Sequence, residues 1–184
     1  MTKFLPLVCA AFLFSLSPVM AANEGETLQM TLPEGYEKGF SDGNAQQQIV
    51  EFVPIGQSVQ DWQELLTVQV FYGLNTVPAR QFAQTLMDRA ADSCAGAAGN
   101  LIRNEPENGY DVSLFMVSCP GDGAEVRPEW TIFKGIAGKD SFYLVHKAWA
   151  YRPDREAVVE WSQFLYGVGL CDTRRDDAPC IAKD

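Results

Sequence analysis

The chain predicts an α+β fold, a mostly antiparallel sheet of about six strands covered by helices. Three observations carry that expectation. Runs rich in β-branched and aromatic residues ("QQQIVEFVP", "YDVSLFMVSC", "EWTIFKGIAG", "SFYLVHKAWAYR") are bounded by turn residues. Two segments, opening at Thr76–Pro78 and at Asp154, repeat apolar side chains with helical period. Strands also follow strands through tight turns, whereas a parallel sheet would alternate strand and helix.

Before the fold comes an address. "MTKFLPLVCAAFLFSLSPVMAA" has one positive charge at Lys3, an apolar run from Phe4 to Leu16, and small residues at Val19 and Ala21. That is the build of a secretory signal peptide, residues 1–21, too short and wrongly flanked for a membrane span. Cys9 follows Val8 rather than a small residue and sits early in the apolar run, so it leaves with the signal and does not anchor a lipid. A single α+β domain is expected over 22–170 and a disulfide-closed tail over 171–184. About 160 residues suffice for one full core. The net charge of −10 argues against nucleic acid and anionic membrane surfaces. No stable membrane anchor is expected, and the location is periplasmic or secreted.

The elements follow in order. "TLPEGYEKGFSDGNAQQQ" predicts a short strand and then a Gly-rich loop. "QQQIVEFVP" is a strand that Pro54 ends, because proline has no N–H for the ladder. In "GQSVQDWQELL", Ser58 as cap and Val59, Trp62, Leu65 and Leu66 at helical spacing predict a short helix, feeding a strand at "TVQVFY". Phe82, Ala83, Leu86, Ala90 and Ala91 form the stripe of the next helix, which "CAGAAGN" ends. "LIRN" and "YDVSLFMVSC" flank "EPENG", predicting a hairpin centred near Pro106 and Glu107. Two further strands meet at "GKD", and Trp130 is expected to cover a sheet edge. The last helix starts at the cap Asp154, after Pro153, and buries Ala157, Trp161, Phe164, Leu165 and Val168.

Four cysteines remain after the signal: Cys94, Cys119, Cys171 and Cys180. An even number in an exported chain implies two disulfides. The hairpin register sets Cys119 roughly opposite Cys94, which favours Cys94–Cys119 and Cys171–Cys180. Closing a loop of that length is worth roughly 3 kcal/mol on a chain-entropy account. No C-x-x-C is present, and the spacings lack the short paired knuckles of a zinc site.

The order of elements, opening on "TLPEGY", resembles the PsbP-like fold of exported bacterial and plastid proteins. Those share a strand opening of the form LP-x-G-aromatic and a final long helix packed across the sheet. Tyr36 stands where that pattern usually has tryptophan. The segment "EFVPIGQSVQDWQELLTVQVF" is similar to one in exported proteobacterial proteins of uncharacterised role. The resemblance spans most of the mature chain as a pattern, implies a non-catalytic binding or accessory protein, and carries over no catalytic residues.

Chemistry is sparse. His146 is the one histidine and shares a strand face with Phe142, Leu144 and Ala148, as a core or edge residue would. A Ser-His-Asp or Cys-His mechanism would have to use it, yet no G-x-S-x-G elbow exists and the mature cysteines are paired. A two-carboxylate hydrolase would leave no linear signature, because its pair assembles only in three dimensions. No metal-ligand spacing is present, and no catalytic residue, metal or cofactor is expected. The ligand-binding candidates are Trp62, Trp149 and Tyr151. Tyr143, Trp149 and Tyr151 share one strand face with Val145 and Lys147, which is core if a helix covers it and a recognition surface if none does. The function expected is a non-enzymatic binding or accessory protein for a protein or small ligand. The alternative is an acidic inhibitor or immunity protein that engages a basic enzyme through a loop such as "RRDDAP".

Overall fold

Alternation along "SFYLVHKAW" sends Tyr143, Val145, Lys147 and Trp149 to one side and Phe142, Leu144, His146 and Ala148 to the other. All but His146 are buried. A strand buried on both sides must lie inside a sheet with a layer on each face. The computed structural model, which describes residues 25–123 and 126–180, has that arrangement. The expected signal segment lies outside these residues. The order is β1 (Glu26–Gln29), β2 (Tyr36–Gly43), β3 (Gln47–Pro54), β4 (Glu64–Tyr72), α1 (Ala79–Ser93), β5 (Ala98–Asn104), β6 (Asp111–Cys119), β7 (Glu129–Ala137), β8 (Ser141–Trp149), α2 (Arg155–Gly167) and β9 (Gly169–Asp172).

The main sheet is antiparallel with seven strands in the order β2-β3-β4-β8-β7-β6-β5, and β1 pairs with β9 in a separate two-stranded sheet. α1 lies over β5, β6 and β7, with Phe82 and Leu86 against Phe133, Phe142 and Leu144. α2 lies on the other face over β7 and β8, where Trp161 and Leu165 meet Leu66, Ile132, Val145 and Trp149. Each helix start is satisfied by a carboxylate, as its free N–H groups require. Asp154 accepts from the Ala157 N–H at 2.8 Å, the expected cap. Asp111 of β6 accepts from the Ala79 N–H at 2.8 Å and does the same for α1.

Both disulfides pair as expected, Cys94–Cys119 and Cys171–Cys180. The register behind the first differs. Ala98 faces Ser118, so continuing the ladder would set Cys119 opposite Ala97. The hairpin closes at Asn108 and Gly109, with φ of 50° and 75°, rather than at Pro106–Glu107. Two left-handed residues match the right-handed strand twist, and Asn-Gly supplies them most cheaply. Cys94 reaches its partner because a turn, with the Ala97 N–H on the Cys94 carbonyl at 3.0 Å, folds it back over β6.

Other expectations are corrected. Residues 58–63 form turns, and no helix runs to Leu66. Ser58 does cap a turn, accepting from the Asp61 N–H at 3.3 Å, but β4 starts at Glu64. A single helical turn bears the whole nucleation penalty for one hydrogen bond, whereas strand pairing satisfies every residue from Glu64 onward. Leu65 and Leu66 are both buried because they face opposite layers, which imitates helical spacing. "YEKGFSDG", expected mostly as loop, is the edge strand β2, bulged between Lys38 and Phe40. Trp130 does not cover an edge: β7 is interior, and Trp130 lies between Ser118 and Trp149. Chain past residue 170 is partly strand, since β9 runs through Cys171.

Candidate functional site

The three aromatic candidates divide between opposite faces of the sheet. Trp149 is 1% exposed beneath α2 and offers no ring face to a ligand. Tyr151, just after β8, is 41% exposed, and its hydroxyl donates to Glu64 Oε1 at 2.8 Å. Trp62 is half-buried on the other side, packed with Val59 on Val53, Leu65 and Ala148. These residues do not form one site.

Around Trp149 and Tyr151 the sheet holds a closed ionic network. Lys147 is fully buried, and its ammonium donates to Tyr36 Oη and Glu64 Oε2, both at 2.6 Å. Its charge also lies 4.4 Å from the centre of the Trp161 ring, a favourable cation–π distance. Burial pushes the Lys147 pKa down to about 8, against the pull of Glu64. Burial pushes the Glu64 carboxyl up, but hydrogen bonds from Lys147, Tyr151 and Tyr36 outweigh it and leave the pKa below the usual range. Tyr36 donates to Glu64 at 2.9 Å and accepts from Lys147. An indole could not accept, so tyrosine suits this place in "LPEGY". Lys147 was legible as an inward lysine on an apolar strand; Glu64 and Tyr36 were not, being distant in sequence.

A second buried lysine, Lys134, has its three donors occupied by Glu107 (2.5 Å) and by the carbonyls of Tyr166 (3.2 Å) and Val168 (2.7 Å) at the end of α2. Burial lowers its pKa. A cleft of about 290 Å³ lies beside it, between Glu107, Tyr166 and Leu170. Lys134 has no donor to spare for a ligand, and Lys147, with two acceptors and the Trp161 ring around its ammonium, is sealed from solvent.

The α1 face is different. A groove of about 300 Å³ runs between α1 and the sheet. Leu86 and Ala90 form one side, Val117, Thr131 and Phe133 the floor, and the Cys94–Cys119 disulfide one end. Val126 and Arg127 form the far wall, folded back at Gly121 (φ 71°), where any Cβ would strike the Val126 carbonyl. The Arg127 guanidinium lies 4.6 Å over the Trp62 ring and donates to the Trp62 carbonyl, tying that tryptophan to the groove wall. Glu129 at the rim accepts from Thr131 Oγ1 at 2.7 Å.

His146 stands one strand beyond the groove floor, its ring 5.0 Å from Phe133, which in turn stacks on Phe115 at 4.8 Å. Register places Thr67 opposite His146 and Glu51 opposite Thr67, so the three share one row on this face. Thr67 Oγ1 and His146 Nδ1 are buried without a hydrogen-bond partner. Tyr110 Oη and Arg175 Nη1 also lack partners, but they belong to residues already in contact, the guanidinium 4.9 Å from the Tyr110 ring. Burial lowers the His146 pKa to about 4, so its imidazole is neutral at pH 7, and burial raises that of Glu51. The row is not a triad. A triad places imidazole between acid and hydroxyl, whereas here the hydroxyl is in the middle and Glu51 is two strand spacings, about 10 Å, from His146.

Both arginines of the tail "RRDDAPC" are paired with aspartates, one of them inside the tail. Arg174 pairs with Asp140 (2.6 Å) and Asp172 (2.7 Å), and Arg175 with Asp177 (2.7 Å). No protein-family model matches the chain, and a search of curated proteins finds no match. Among the described residues no helix is long and apolar enough to cross a membrane.

Proposed function

We propose that this is an exported, periplasmic or secreted, non-enzymatic binding or accessory protein of PsbP-like build. Its small ligand occupies the groove between α1 and the sheet. The observation that supports this reading is the groove itself: a concave, mainly apolar space held open by a disulfide at one end and by Arg127 stacked on Trp62 along one wall. Its volume sits at the small end of ligand sites, which run from roughly 300 to 1,000 Å³. The two disulfides and the signal-like first 21 residues agree with an oxidising compartment. The inhibitor alternative gains less support, because the arginines of the "RRDDAPC" loop already pair with its neighbouring aspartates.

Amide-resolved NMR with a set of small aromatic fragments tests the proposal. Perturbations should gather at Leu86, Val117, Thr131 and Phe133, with a change in indole emission that Trp62→Phe removes. Shifts confined to the Tyr166 cleft, or none up to the fragments' solubility, would refute it.

A further inference from the structure

The groove reading leaves two atoms unexplained. A buried hydroxyl and a buried ring nitrogen without partners are rare, since each forfeits the hydrogen bonds it had with water. Thr67 is only 1% exposed, and its Oγ1 and His146 Nδ1 belong to directly opposed residues of β4 and β8. Cross-strand neighbours stand about 5 Å apart at Cβ, so one incoming polar group can touch both. They lie behind the groove floor: Phe133 is at once part of that floor and the ring neighbour of His146, and Thr67 stands one strand further on.

We propose that Thr67 Oγ1 and His146 Nδ1, behind Phe133 at the groove floor, take an uncharged hydrogen-bonding head group of a small apolar ligand, such as an alcohol, phenol or carboxamide. This rests on the groove reading above. The head group is uncharged because both atoms are buried, where an ion would forfeit its hydration. The charged side chains of the groove, Arg127 and Glu129, lie at its wall and rim, against Trp62 and Thr131. The imidazole is neutral, and Glu51, next along the row, would repel a carboxylate. Threonine and a neutral imidazole can each donate or accept, which suits a group that does both. The small volume leaves room for about one ring and its head group.

The chain has one histidine, so its imidazole ¹⁵N signals are unambiguous. Four probes of similar size distinguish the head groups at pH 7: benzyl alcohol and benzamide against benzoate and benzylamine, each titrated into the whole mature protein. The two neutral probes should bind at least about tenfold more tightly than either ion and should move the Nδ1 resonance. Thr67→Val should weaken them about tenfold, the loss of one hydrogen bond, while Thr67→Ser retains them. Should Thr67→Val misfold, the wild-type Nδ1 shift decides alone. Ions that bind as well as the neutral probes overturn the proposal. So do probes that perturb Leu86 and Phe133 but leave Nδ1 unmoved, and so does a resident water whose cross-peak to the imidazole survives saturation. Either of the last two leaves the groove reading standing, whereas no binding by any probe removes both.

Discussion

On one side of β8, Lys147 finds a carboxylate, a phenol and an aromatic ring; on the other, one residue away, His146 Nδ1 finds nothing. The α2 face spends its buried polar groups on one another, joining β2, β4, β8, α2 and the chain after β8 around Glu64 and Lys147. The α1 face holds Thr67 and His146 beside a groove with their hydrogen-bonding capacity unused. The difference teaches where stability and recognition reside in this fold. Satisfied networks specify the structure, and unsatisfied atoms carry a penalty that a ligand can relieve. Four measurements would break or sharpen the contrast.

The largest effect belongs to the closed network. Glu64→Ala leaves Lys147 fully buried without its counter-ion, to stay charged unpaired or give up its proton, and should lower unfolding free energy by about 3–5 kcal/mol in urea titration. Lys147→Met, which replaces the charge by an apolar chain of similar volume, should lose distinctly less, because Glu64 can still reach water. Equal losses would mean that the network holds no uncompensated charge.

Next comes the groove's end. The double variant Cys94→Ser/Cys119→Ser should lose about 3 kcal/mol. It should also weaken fragment binding, since the disulfide is part of the wall. Stability lost with binding intact would place the ligand elsewhere.

His146 gives the third. Its folded pKa of about 4 lies below its unfolded value near 6.5, so between these pH values the unfolded chain binds more protons. Stability should therefore fall as pH drops from 6.5 to 4 and level off for this group below that, a total of up to about 3 kcal/mol. Denaturation at several pH values should show this slope in the wild type and not in His146→Gln. Glu64 adds an acid-labile contribution of its own, present above its unfolded pKa near 4.5 and lost as pH falls through its lower folded value, so it lies outside the window from 4.5 to 6.5. Glu51, whose pKa burial raises, opposes the slope inside that window, and the difference between wild type and His146→Gln isolates the histidine.

The smallest effect has the opposite sign. Thr67→Val removes an orphan hydroxyl at nearly constant volume and should stabilise the ligand-free protein by about 1 kcal/mol. A loss of similar size would show that Thr67 has a partner, such as a resident water.

Local signals in the sequence read well, and long-range ones poorly. Asp154 and the stripe through Trp161 and Leu165 gave α2, and "GKD" marked the β7–β8 hairpin, because a cap and a turn act within a few residues. The first disulfide was paired correctly from an imperfect register: the Asn108–Gly109 turn was misplaced, but the turn after Cys94 made up the difference. Residues 58–66 misled because Leu65 and Leu66 serve two layers at once, a fact about the sheet rather than the segment. Of the site, Trp62 and His146 stood out as residue types. Their neighbours Arg127 and Thr67 are 65 and 79 positions away from them, and only the contact of Arg127 with Trp62 and the pairing of β4 with β8 bring each pair together.

The small β1–β9 sheet has a mechanical consequence. Glu26 faces Asp172 and Gln29 faces Gly169, so the two chain ends leave from the same end of the ribbon. Tension applied through the termini would open this pair like a zipper, loading one hydrogen bond at a time, instead of shearing all of them together. The Cys171–Cys180 bridge would pass the force straight to β9 and leave the tail loop slack. Leu28 and Leu170 would then be the first core side chains drawn out, and the seven-stranded sheet would feel the load first at its β7–β8 turn, where Asp140 holds Glu26 and Arg174.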